Sequence, residues 1–168
     1  EDQGYVMSAI IMPDAASLSR TADVSHRVDA IFAKMPGVEN RTEITGYSLL
    51  DGGFKTNAGT FFTTLKPFEE RYGSTKTAKE ENARAVLTQL HRESQAIDKG
   101  LVIPIAPPAI PGIGTTGGFE FWIQDTAGGD PAALDSVTQQ FLAKARARQE
   151  LSGLSCTFRA SSQQLRAN

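Results

Sequence analysis

Apolar residues change rhythm several times along this chain, and each rhythm predicts an element. Tyr5 to Met12, YVMSAIIM, is apolar at almost every position. That pattern predicts a strand with both faces covered, central in a sheet. From Ser17 to Lys34 the period lengthens: Leu18, Val24, Val28, Ile31 and Phe32 fall on one stripe, with Ser17 as N-cap. Met35-Pro36-Gly37 stops this helix. Val38 to Thr45 alternates, with Glu39, Arg41 and Glu43 on one side, as a half-exposed strand does. Thr60 to Lys66 is the next strand, and Gly46 to Gly59 is expected to be a loop between the two. Pro67 to Lys76 is polar and is expected to be a loop carrying Glu69, Glu70 and Arg71.

A second helix is expected from Thr77, where Thr77 and Glu80 have capping-box spacing. Ala83, Val86, Leu87, Leu90 and Ile97 continue it at helical spacing. Leu101 to Ile105 is a short apolar strand. A proline- and glycine-rich stretch follows, and then FEFWIQ, Phe119 to Gln124, alternates as a strand. Asp130-Pro131 marks a third helix start, and Leu134, Val137, Phe141, Leu142 and Ala145 supply its apolar face. Leu154 to Ala160 is the last expected strand. The order is β-α-β-β-α-β, then β-α-β. It predicts an α+β, ferredoxin-like split-βαβ sandwich over residues 1–111, a Gly-rich bridge over 112–118, and a half unit over 119–168.

The bridge raises a chemical question, because Gly112, Gly114 and Gly117 have the spacing of a dinucleotide fingerprint. That fingerprint works where a strand turns into a helix whose amino end receives a phosphate. Here the glycines run into an alternating aromatic segment, so the reading is a crossing between two small sheets. Other chemistry is no better supported. His26 and His91 lie on different helices without metal-ligand spacing. Cys156 alternates with Leu154 and Phe158 and reads as a packing residue. Glu69-Glu70 and Glu80-Glu81 are sequence neighbours that point different ways and read as solvated surface. No catalytic residue, metal or cofactor is expected. The loop at Gly46–Gly59 is different: it carries Tyr47, Leu49, Leu50 and Phe54. It reads equally as a functional loop or as a cover folded over its own core.

Composition narrows the partners. The chain has 168 residues, 40% of them apolar, a net charge of -2 and one cysteine. There is no basic footprint for nucleic acid. No run of about 18 apolar residues is present to span a membrane, and no signal peptide is visible.

Four separated segments, EDQGYVMSAIIMPDAASLSRT, TGYSLLDGGFKTNAGTFFTTLKPFEER, PPAIPGIGTTGGFEFWIQD and LAKARARQELSGLS, resemble the periplasmic porter region of AcrB-like resistance-nodulation-division efflux pumps. The resemblance covers essentially the whole chain, in the family's order. It implies the first porter subdomain of the second half, plus the first part of the next. On this reading the chain is an excised segment of a trimeric, proton-driven pump at the periplasmic side of the Gram-negative inner membrane. The implied partners are amphiphilic small molecules, the pump's membrane domain, a periplasmic adaptor and an outer-membrane channel.

The resemblance also implies site residues. Tyr47, Leu49 and Leu50 fall in the family's switch loop. Phe62 matches a distal-pocket aromatic, Ile103 and Ile105 match positions lining the proximal entrance, and Met7 matches a residue near the same cleft. Leu49, Leu50, Ile103 and Ile105 stand where aromatics occur elsewhere, Gly112 stands where a glutamate occurs, and the switch loop has one extra residue. The pocket is therefore expected to be less aromatic and less acidic. A free-standing ferredoxin-like module that binds small ligands or mediates assembly is the alternative. An isolated segment is expected to pair its open half unit with a second copy.

Overall fold

A computed structural model describes residues 2–108, 121–151, 154, 156, 158 and 160. It divides into two units, residues 1–119 and 120–168.

In the first unit, β1 (Tyr5–Ile11), α1 (Leu18–Phe32), β2 (Val38–Ser48) and β3 (Gly53–Leu65) are followed by two short helices, α2 (Phe68–Arg71) and α3 (Thr75–Glu80). Then come α4 (Ala83–Ser94) and β4 (Leu101–Ile105). The strands form one antiparallel sheet in the order β2-β3-β1-β4. β3 separates β1 from β2, and β1 separates β3 from β4. This interleaving of two βαβ halves is the ferredoxin-like arrangement.

Side chains alternate across the sheet. Val6, Ile10, Phe61, Leu65 and Val102 face α1 and α4, and join Val24, Val28, Phe32, Val86 and Leu90 in the main core. Phe32 and Phe61 meet there with ring centroids 5.6 Å apart. Met7, Ala9 and Ile105 belong to a separate cluster on the opposite face. The doubly apolar pattern of β1 is explained by these two cores. α1 starts where expected, with the Ser17 side chain accepting the Arg20 N–H.

Three expectations in this unit are corrected. The segment Gly46–Gly59 is not an open loop. It is the outer part of a β2–β3 hairpin, paired out to Ser48 and Gly53 and closed by a turn at residues 49–52. A register shift at Thr45/Tyr47 accommodates Gly46 at φ 90°, a backbone state open to glycine. The segment after Pro67 is not a loop either, and Arg71 is not a surface residue: it is 1% exposed. The second helix is broken in two. Ser74 and Thr77 form the capping box of α3, and Asn82 caps α4 through Ala85 N–H. The break at residues 81–82 is held because Glu81 packs on Gly37, where a Cβ would lie 2.9 Å from the Glu81 Cβ.

The second unit contains α5 (Pro131–Arg146), capped by Asp130 through Ala132 N–H with Pro131 in its first turn, as expected. Its buried stripe is Thr138, Leu142 and Ala145, whereas Val137 and Phe141 are exposed. The strands expected on either side are not formed at their described positions, residues 121–124, 154, 156, 158 and 160. Phe121 stacks on Phe141 at 5.1 Å, and Asp125 accepts from Ala127 and Gly129 N–H in a turn. Alternation provides a face, but a strand also requires a ladder partner. Cys156, expected to pack inside, is exposed. The Gly-rich bridge at 112–118 lies outside the described residues.

Candidate functional site

The seven candidate residues come from widely separated parts of the sequence. Register decides which of them meet. Met7 pairs with Phe62 on one side and with Ile105 on the other. One residue pair along, Ala9 lies between Thr60 and Ile103. Two adjacent rows, Ile105–Met7–Phe62 and Ile103–Ala9–Thr60, therefore run across three strands on the face turned away from the helices.

The hairpin turn comes down on these rows. Leu49 and Leu50 pack against the cluster of Met7, Ala9 and Ile105, together with Phe62, Ile103 and Tyr5. Thr60 fastens the turn: its hydroxyl donates to the Tyr47 carbonyl at 2.8 Å and accepts from Leu49 N–H at 3.2 Å. The turn itself is tied by Ser48, which donates to Asp51 Oδ2 at 2.6 Å, and by Lys55 bridging to the same carboxylate at 2.9 Å. Of the two readings left open by the sequence, the cover folded over its own core is the one observed. It covers its own sheet, yet its two leucines remain only half-buried.

Six of the seven candidates therefore share one surface: Met7, Leu49, Leu50, Phe62, Ile103 and Ile105. Tyr47 lies outside that cluster, on the hairpin arm, edge-on to Phe54 at 5.6 Å. Phe54 projects into solvent at 86% exposure. Thr60, absent from the sequence-based set, anchors the site; its place in an alternating strand was visible, but its bond to the turn was not.

Chemically the surface is apolar and half-open. Tyr5 brings a titratable hydroxyl to the cluster. Such a surface can take up the apolar part of a ligand, with polar contact limited to a few groups around it. It is a wall, and two concavities on the first unit lie elsewhere. One, of about 580 Å³, is lined by residues such as Pro13, Arg20, Asp23 and Asp98. The other, of about 480 Å³, lies between α1 and α4. His26 and His91 are exposed on separate helices. Among the described residues no group of three His, Cys, Asp or Glu side chains could hold a metal ion, and no helix is long and apolar enough to cross a membrane.

One strongly polar node lies at the lead-in to β1. Arg71 meets both carboxylate oxygens of Asp2, Nη1 to Oδ2 at 2.5 Å and Nη2 to Oδ1 at 3.0 Å. Its Nε donates to the Lys66 carbonyl at 2.7 Å. Asp2 also accepts from Ala83 N–H at the start of α4, from Gly4 N–H and from the Tyr72 hydroxyl. Burial works to raise the Asp2 carboxyl. The guanidinium and these donors outweigh it and hold the group well below the usual carboxylate range. Arg71 is raised in turn, first by its hydrogen bonds to Asp2 and against the cost of its own burial.

Comparison with known proteins gives a consistent relationship. The multidrug export protein AcrF of Escherichia coli K12 is 37% identical over 147 residues, which cover 86% of this chain and 14% of the relative. The toluene efflux pump membrane transporter TtgB of Pseudomonas putida DOT-T1E is 28% identical over 156 residues, covering 92% of the chain and 14% of the relative. The multidrug resistance protein MdtF of E. coli K12 is 28% identical over 127 residues, or 74% and 12%. The chain thus spans about one seventh of the length of these relatives. The model of the AcrB/AcrD/AcrF family matches residues 1–168 from end to end. On that match, and on the split-βαβ sheet that carries it, the chain belongs to the AcrB/AcrD/AcrF family of resistance-nodulation-division efflux transporters.

Proposed function

We propose that this chain is a periplasmic porter segment of a proton-driven multidrug efflux pump, and that the helix-free face of its first unit forms a wall of the amphiphile path. Residues 1–111 would be the first porter subdomain of the pump's second half, and 119–168 the first part of the next. The turn at Leu49–Leu50 would be the switch element, and no bond-making chemistry is assigned. The observation that carries this reading is the convergence of six candidate residues from β1, β3, β4 and the hairpin turn onto one half-open apolar surface. What supports it is that residues the resemblance names separately are neighbours by strand register, for Met7, Phe62, Ile103 and Ile105, or by packing, for Leu49 and Leu50.

An apolar wall suits ligands whose apolar body must be held loosely enough to leave. Leucine and isoleucine at four of these positions favour shape-tolerant packing over aromatic stacking. The remainder of the reading follows from the family. A membrane domain would supply proton flow, three copies would form the working pump, and an adaptor and an outer-membrane channel would complete the route.

The test is transport by the full-length pump in vesicles, with an amphiphilic dye as substrate and Phe62→Ala or Tyr47→Ala as variants. Phe62→Ala is expected to raise the dye concentration giving half-maximal transport by about tenfold, the worth of a partly buried aromatic contact. Tyr47→Ala should have a smaller effect, because Tyr47 lies off the cluster. Unchanged transport in both variants would remove the site assignment.

A further inference from the structure

We propose that Asp2 and Gln3 are positioning residues of the candidate face, holding Met7 and Ile105 in place from beyond the end of the β1–β4 ladder. The inference rests on the proposed function for its consequence in transport, but its structural part stands alone.

The β1–β4 ladder stops at the pair Met7 and Ile105. Its next partners explain why. Pro107 and Pro108 follow β4 after a single alanine. Neither has an N–H, so neither can donate a ladder bond back to the lead-in of β1. Without a substitute, the last apolar pair of the face would sit at a fraying end. Gln3 closes the gap in the opposite sense: from the lead-in of β1 its side-chain amide donates to the Pro108 carbonyl at 2.6 Å. A side-chain bond thus ties the two chain ends three residues beyond Ile105, where the prolines supply no main-chain donor.

Gln3 can do this only if its own backbone is fixed, and Asp2 fixes it. The Asp2 carboxylate is gripped by Arg71 and by Ala83 N–H, so it is anchored to the α2 region and to the amino end of α4. Negative charge is favourable at that helix end. Asp2 also accepts Gly4 N–H, closing a turn in which Gly4 has φ 75°. The Gly4 carbonyl accepts Leu65 N–H, which ties the same turn to β3. Residues 2–4 therefore clamp the ends of β1, β3 and β4 to the start of α4. Met7 and Ile105 are 5% and 6% exposed, the most deeply set of the candidate residues.

The experiment uses the full-length pump with Gln3→Leu, which keeps size but removes the donor, and Asp2→Asn, which keeps shape but removes the charge. Hydrogen–deuterium exchange is read on peptides covering β4 and on the β2–β3 hairpin, alongside concentration-dependent dye transport. Gln3→Leu is expected to speed exchange at the end of β4 roughly three- to tenfold, as loss of one hydrogen bond implies, without changing the hairpin. The dye concentration for half-maximal transport should rise while the maximal rate holds, and Asp2→Asn should show the same pattern more strongly. Unchanged β4 exchange in both variants would overturn the clamp. Faster β4 exchange with unchanged transport would uphold the clamp and count instead against the face as substrate path.

Discussion

The helix-covered face of the sheet and the face beneath the hairpin turn are made by the same strands, residue by alternate residue. On the first, Val6, Ile10, Phe61, Leu65 and Val102 are sealed under two helices, and Phe61 is fully buried. On the second, Met7, Ala9 and Ile105 are buried, but Phe62 and Ile103, and the turn residues Leu49 and Leu50 that pack on them, are left half-open. The first face has the packing of a core. The second has the composition of a core but not its closure. The apolar surface is assembled from four chain segments, and its cover is one turn rather than two helices. On the proposed function, stability is carried by the helix face and recognition by the turn face.

The comparison can be broken most forcefully at the two buried anchors. In the 168-residue chain, Phe61→Ala should cost about 3–5 kcal/mol in urea unfolding, whereas Phe62→Ala, one residue along on the other face, should cost about 1–2 kcal/mol. Equal losses would mean that the faces do not differ as described. Arg71→Ala should also cost about 3–5 kcal/mol, because it strands the Asp2 carboxylate without its cation. Arg41→Ala breaks the more exposed pair with Asp29 and should cost under about 1 kcal/mol.

An effect between those of Arg71→Ala and Arg41→Ala is expected from Gly46→Ala, which places a side chain at φ 90° in the hairpin bulge. It should destabilise by about 1–2 kcal/mol, loosen the turn in proton-exchange measurements and shift the Leu18 side chain at the start of α1, whose Cδ1 the new Cβ would meet at 2.9 Å, leaving α4 unchanged. The last effect is pH-dependent. The Asp2 carboxyl is depressed on folding, so its contribution is fully present above its unfolded value near pH 4 and is lost as pH falls through the folded value. Unfolding curves should show this loss below about pH 4 in the wild type, and a flatter profile in Asp2→Asn.

Much of the first unit was legible in the sequence, because β1, α1, α4 and β4 each carry an apolar pattern of their own. In the second unit, the Asp130–Pro131 start of α5 was legible as a capping signal. The outer part of the hairpin was not legible. Its arm is rich in threonine, asparagine and glycine, and what pairs it is a register set by a bulge at Gly46 and by the Thr60 hydroxyl, neither of which leaves a periodic mark. Arg71 in EERY looked like surface because its partner lies 69 residues away. FEFWIQ failed for the opposite reason: a clear alternation is present, but at its described positions Phe121 leaves to stack on α5. The site residues were legible only through family resemblance. Nothing in their spacing shows that Met7, Phe62 and Ile105 share one row.

The central claim is that substrate passes along the turn-side face, and thiol labelling in the full-length pump tests it most directly. Ile103→Cys places a thiol within the candidate cluster, and Leu101→Cys places one at the exposed start of the same strand. An amphiphilic maleimide is applied to vesicles with and without a saturating transported dye, and labelling is read by mass spectrometry of the β4 peptide. The account predicts that dye slows labelling at position 103 several-fold and leaves position 101 unchanged. Identical labelling at 103 with and without dye would contradict it.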